Sequence, residues 1–176
     1  RRRQRQMCIR DRLEQYQFDY SKKESSQKLS WRWTAGLQKV KACFSDRVNS
    51  IVLCDREADS FHCLYQAYSL NQPVVIRAQH NRILEKDTAS QAFTKLFDWK
   101  KTLAVAQKYS INIYDRAQKK EVKRLISLRY AEVQIPSTPT SSYSSQASIP
   151  YHVVNVVSHD KGPKLSWMLL TNLPIN

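Results

Sequence analysis

Glycine is nearly missing from this chain, which holds two in 176 residues, Gly36 and Gly162. A Gly-rich phosphate loop needs several glycines at fixed spacing, so neither a Walker nor a Rossmann fingerprint exists here. Cysteine is also sparse. Cys8, Cys43, Cys54 and Cys63 form no Cys-x-x-Cys pair. Cys54, His62 and Cys63 combine a strand end with two helix residues, which is the wrong spacing for a closed zinc site. Reduced thiols and a cytoplasmic location are the default for such usage. No secretory signal is visible, and no apolar run approaches the roughly 20 residues that span a bilayer, so no membrane partner is expected.

Acidic residues are few: 15 Asp and Glu stand against 29 Lys and Arg, giving a net charge of +14 and a pI near 9.8. That balance favours a polyanionic partner such as nucleic acid. Residues 1–12 hold six Arg and one Asp, so they carry +5 of the total and leave +9 for the rest. This segment has no periodicity. It reads either as a basic phosphate-binding arm or as a non-native remnant, and it is set aside from the fold argument.

What the chain does have is a junction at its centre. Ser50-Ile51-Val52-Leu53-Cys54 reads as a buried strand and runs into Asp55-Arg56-Glu57-Ala58-Asp59. A helical pattern over 57–71 follows, with Phe61, Leu64, Tyr65 and Tyr68 at three- and four-residue spacings. A second apolar run, 73–78, completes a strand–helix–strand crossover with two parallel strands. Ligands of open α/β sheets bind at the carboxyl ends of such strands. Asp55 ends the first strand and Arg77 the second, setting an acid beside a base. Asp55 has two readings from spacing alone, a helix N-cap or a catalytic, metal-binding carboxylate.

On either side the pattern differs. Tyr16, Phe18 and Tyr20 alternate as an edge strand would, and a helix from Lys28 carries Trp33, Leu37, Val40 and Phe44 as one apolar stripe. Trp31 and Arg32 beside it are candidate DNA contacts. Thr88–Trp99 reads as a short amphipathic helix. Beyond Lys100 the period becomes two, with strands expected at 102–107, 109–114, 123–135, 151–157 and 165–171. In the long one, Ile126, Leu128 and Tyr130 share a face before Ala131, Val133 and Ile135 take over, which suggests a β-bulge near Tyr130. Pro136–Pro150, rich in Ser, Thr and Pro and free of charge, reads as a hairpin excursion.

Asp55-Arg56-Glu57-Ala58-Asp59 behind an apolar strand, with Val74-Val75-Ile76-Arg77 beginning nineteen residues after Asp55, resembles the DDE transposases of the insertion-sequence-four type, the group of the transposon-five enzyme. Leu165-Ser166-Trp167-Met168-Leu169-Leu170-Thr171-Asn172-Leu173-Pro174 is similar to a second motif of that family, and Lys23-Glu24-Ser25 through Trp33 is similar more loosely. The resemblance spans about residues 22–176. It implies an α/β fold: a partial RNase H-like core over 13–100, followed by a mainly antiparallel β insertion over 101–176 that is incomplete at its C-terminus. It also implies a central fragment of an enzyme performing cut-and-paste cleavage and strand transfer. The partner would be double-stranded DNA at transposon ends, bound as a homodimer, in the nucleoid of a bacterial cytoplasm.

In this class two divalent metals about 3.5–4 Å apart serve the attacking and leaving oxygens. Mg²⁺, or Mn²⁺ in its place, prefers carboxylate oxygens. By the resemblance Asp55 is the second of the three carboxylates and a metal ligand, Arg77 contacts a backbone phosphate, Trp167 stacks on a flipped base, and Arg56 supports them. The first Asp and the Glu have no counterpart among these residues, and Glu57 and Asp59 read as cap or dipole partners rather than substitutes. The family's His falls where this chain has Phe61, so His62 inherits no role. By itself such a fragment is expected to be inactive. Two rivals remain: a non-catalytic nucleic-acid-binding module in which Asp55 only caps, and a nuclease on the same core.

Overall fold

The computed structural model describes residues 29–44, 50–84, 95–99, 103–115, 118–137, 148–160 and 164–175. The expected edge strand at Tyr16–Tyr20, the tail 1–12 and most of the expected helix from Thr88 lie outside them. The described residues form a mixed α/β structure in which one six-stranded sheet runs in the order β1-β2-β6-β5-β4-β3. Its strands are β1 (Val52–Cys54), β2 (Val74–Arg77), β3 (Gln107–Asp115), β4 (Lys120–Pro136), β5 (Ser148–Ser158) and β6 (Ser166–Thr171). The helices are α1 (Leu29–Cys43), α2 (Phe61–Ser69) and the single turn α3 (Leu96–Trp99).

β1 and β2 pair in parallel through Val52↔Val74, Leu53↔Val75 and Cys54↔Ile76, with α2 as the crossover between them. Every other ladder in the sheet is antiparallel, beginning with β2 against β6. The two regions of different period in the sequence therefore share a continuous sheet. Asn172 fastens the seam: its Oδ1 accepts from Val74 N at 2.9 Å and its Nδ2 donates to Gln72 O at 2.9 Å. Gln72, 2% exposed, in turn donates to Ser50 O at 2.9 Å and so fixes the entry to β1.

The core lies between the helices and one face of the sheet, which we call the inner face. Leu37 of α1 and Leu64 and Ala67 of α2 pack with Val74, Ile76, Val133, Ile135, Ile149, Tyr151, Val153 and Leu170. The Tyr151 hydroxyl reaches across the layers to donate to Leu64 O at 2.9 Å, satisfying a phenol that burial would otherwise penalise.

The helix expected over 57–71 is broken. Arg56–Ala58 forms a 3₁₀ turn, Ser60 is extended (φ −117°, ψ 148°), and α2 starts afresh at Phe61, where the Ser60 hydroxyl accepts from Cys63 N at 3.2 Å. Ser is a favoured N-cap because its oxygen serves an amide the helix itself leaves orphaned. The strand expected at 102–107 is also displaced: residues 103–106 precede β3, which starts at Gln107. Phe44, expected on the apolar stripe of α1, lies past its end and is 46% exposed, whereas Leu37 of the same stripe is 1% exposed. β5 takes in Ser148–Pro150 and β4 takes in Pro136, so the strands run further into the Ser/Thr/Pro stretch than expected.

No bulge interrupts β4 at Tyr130. Its register with β5 is unbroken from Ile126↔Ser158 to Pro136↔Ser148. The change of phase has another cause, since the strand changes which side it buries. Val133 and Ile135 point to the inner face beneath the helices, while Ile126 and Arg124, of opposite parity, are buried on the outer face. A strand whose buried side changes along its length shifts its apolar phase without an extra residue.

Cys54 and Cys63 are buried free thiols, each pushed up to about 12 by burial. Thiolate is the reactive form, so both should resist an aromatic disulfide reagent at pH 8 in the folded protein, while exposed Cys43 reacts. The raised values also carry a sign for stability. The neutral thiols favour the fold fully below their unfolded pKa, near 8.5, and this contribution is lost as pH climbs towards about 12. Denaturant midpoints should therefore fall between pH 9 and 11, less steeply in Cys63→Ala; a flat profile would contradict the assignment.

Candidate nucleic-acid interface

The alternation of side chains along each strand decides which residues meet. Cys54 and Ile76 are register partners and both bury on the inner face. The next positions, Asp55 and Arg77, therefore belong to the outer face at the carboxyl ends of two strands about 4.8 Å apart. Arg77 is the register partner of Leu169 on β6, and Trp167 lies two residues from Leu169 on the same face. Ala78 N donates to Met168 O at 2.8 Å, extending the ladder past Arg77. The outcome is a direct contact: the Arg77 guanidinium carbon lies 5.8 Å from the centre of the Trp167 ring. This is within the range in which a cation is attracted to an indole face.

Trp167 is 40% exposed, and its register partner on β5 is Val156. An indole in contact with a guanidinium and still 40% exposed can accept a further flat group. Arg77 is half-buried and presents five fixed donors suited to a phosphate. The two residues are remote in sequence and adjacent in space.

Asp55 is exposed and extended (φ −81°, ψ −177°), with its carboxylate accepting from Arg56 N at 2.7 Å. It thus caps the 3₁₀ turn while remaining open to solvent. Arg56 is exposed as well, and its carbonyl accepts from Asp59 N at 3.0 Å. No group of three or more His, Cys, Asp or Glu side chains able to hold a metal gathers among the described residues.

Asp59 has a role that sequence reading missed. It is 1% exposed, and its Oδ2 accepts from Gln79 N at 2.6 Å and His80 N at 2.8 Å, while its Oδ1 pairs with Arg82. Arg82 Nη2 also reaches Asp59 O at 3.3 Å. Burial pulls the Arg82 guanidinium below its usual range, and the Asp59 charge opposes that shift. The carboxylate therefore clamps the segment that leaves β2 directly after Arg77. Its partners lie some twenty residues on, beyond the reach of any local motif. Asp59 is thus paired with Arg82, while the contact of Arg77 is with Trp167.

His62 sits against α1, its ring 4.8 Å from that of Trp31, and partial burial lowers its pKa. Trp31 is 42% exposed, on the helix side of the molecule rather than beside Trp167. At the opposite end of β2, a cavity of about 290 Å³ is lined by Tyr68, Asn71, Glu132, Pro150, His152 and Asn172. Neither protein-family models nor curated proteins give any match to this chain.

Proposed function

We propose that the chain is the central part of a DDE-type DNA transposase, built on a partial RNase H-like core, and that the outer face carrying the Arg77–Trp167 contact, with Asp55 at the neighbouring strand end, is where it meets a DNA end. The observation carrying this reading is the contact between Arg77 and Trp167. Both were singled out as DNA-binding from separate motifs, and they converge at the strand ends where an α/β sheet receives its ligands. The net charge of +14 supports a polyanionic partner.

Within that reading Arg77 would grip a backbone phosphate through charge-assisted hydrogen bonds and Trp167 would stack on an unpaired base. Asp55 would supply one carboxylate. Mg²⁺ takes about six oxygen ligands; Asp59 is committed to its clamp, Asp55 and Glu57 are exposed on one turn, and no group of three or more candidate ligands gathers among the described residues. The divalent metals, their two further carboxylates, the DNA-bound homodimer and the bacterial nucleoid location belong to the proposal for the full-length enzyme. A second reading, a binding module without catalysis, is favoured by the bond from Arg56 N to Asp55, which gives that carboxylate a capping task.

Asp55→Ala separates them. In the full-length enzyme the expected result is loss of metal-dependent cleavage by at least about 10³-fold with DNA affinity within about twofold, as for removal of a ligand from a reacting centre. Cleavage that survives the change removes Asp55 from the chemistry and leaves the binding module.

A further inference from the structure

We infer that the outer edge of β3 is a self-association surface, along which two copies of this chain pair antiparallel to make one sheet of twelve strands. β3 ends the strand order, and among the described residues no strand pairs with its far side. It is nine residues long and in unbroken register with β4 from Gln107↔Leu128 to Asp115↔Lys120. Natural edge strands are protected by proline, bulges, short length or inward charges. Gln107-Lys108-Tyr109-Ser110-Ile111-Asn112-Ile113-Tyr114-Asp115 has none of the first three and a single lysine. The opposite edge, β1, spans three residues and needs no such protection.

The sequence of β3 is complementary to itself. A two-fold axis perpendicular to the sheet keeps each face on its own side, so every residue must pair with one of the same parity, and the axis must pass through a residue. Placing it at Ile111 uses all nine positions. On the outer face Ile111 then meets its own copy, Tyr109 meets Ile113, and Gln107 meets Asp115. On the inner face Lys108 meets Tyr114 and Ser110 meets Asn112. No like charges face each other. The central outer-face pairs are aromatic or branched, and the Gln107–Asp115 and inner-face pairs are polar, combinations that are compatible as cross-strand neighbours. Tyr109 is 48% and Tyr114 62% exposed in the single chain, and this pairing would cover both. The inference stands independently of any reading of the outer-face cluster as a DNA site.

The test exploits the Ser110–Asn112 facing, since both side chains are exposed and neither holds β3 to β4. Ser110→Glu with Asn112→Glu sets two acids against each other across the axis. Ser110→Lys with Asn112→Glu sets a base against an acid there instead. In both, the new glutamate at position 112 stands beside Lys123 of β4, so the fold itself is treated alike. Sedimentation velocity up to about 0.5 mM, in the range of weak association, should show a wild-type dimer. The doubly acidic variant should dissociate at least tenfold more readily, and the mixed pair should restore association, with matching circular dichroism throughout. A wild-type protein that stays monomeric, or two variants of equal dimer strength, overturns the inference. Ile111→Cys adds a register test: under oxidation a peptide cross-linked through position 111 to itself is expected, and its absence from an oxidised dimer overturns the placement of the axis.

Discussion

Asp59→Ala is expected to lower the unfolding free energy by about 3–5 kcal/mol, the cost of leaving one partner of a buried ion pair alone. The carboxylate is 1% exposed and serves the amides of Gln79 and His80 as well as Arg82, whose side chain is 13% exposed. Removing it orphans a buried guanidinium and two backbone donors together. Adding Arg82→Met to Asp59→Ala should recover part of the loss, because the unpaired charge disappears while the two amides remain unserved. Urea unfolding followed by circular dichroism reads both. A loss under about 1 kcal/mol for Asp59→Ala would mean that the clamp contributes no more than an exposed ion pair.

Part of the site is legible in the sequence and part is not. Val52-Leu53-Cys54 and Val74-Val75-Ile76 announce two buried strands through unbroken apolar runs, and the helical spacing between them fixes a parallel crossover. From that alone Asp55 and Arg77 fall at neighbouring strand ends. The place of Trp167 beside Arg77 is not readable, because it depends on β6 returning antiparallel to β2, with Arg77 paired to Leu169, a pairing that no local period encodes. The break in the helix at Asp59–Ser60 had a visible signal in Ser60, a good N-cap three residues before Cys63, but the apolar spacing around Phe61 and Leu64 masked it. The phase shift in β4 suggests a bulge from the sequence, whereas the unbroken register with β5 shows a change of buried face instead. Periodicity reports which side chains are buried, and it does not distinguish an inserted residue from a strand whose buried side changes along its length.

Exposure adds a further limit on sequence reading. Leu53 is 65% exposed and Ile51 53%, although both sit in the most apolar stretch of the chain. Their parity places Leu53 on the outer face with Val75, Arg77, Leu169 and Trp167. An apolar run of this kind is what a strand covered on both faces requires. The composition of the strand thus describes a two-sided burial, while the described residues provide the inner side alone.

Trp167→Ala should weaken binding of this chain to a DNA end bearing an unpaired base by about 1–3 kcal/mol, or roughly 5- to 150-fold in Kd, the usual loss for one base–aromatic stack. Trp167→Phe should keep much of that affinity, and fully paired duplex should be affected little. Arg77→Ala should act differently, lowering affinity for both substrates and reducing the salt slope by about one, as for a residue at a phosphate. With 5.8 Å between the guanidinium and the indole ring, each residue also holds the other in place. The double variant should therefore lose less than the two single losses combined, by about 0.5–2 kcal/mol, the range of a cation–aromatic contact. Fluorescence anisotropy at several salt concentrations measures all three quantities. Strict additivity would mean that the two side chains bind independently, and equal losses on paired and unpaired ends would remove the stacking role from Trp167.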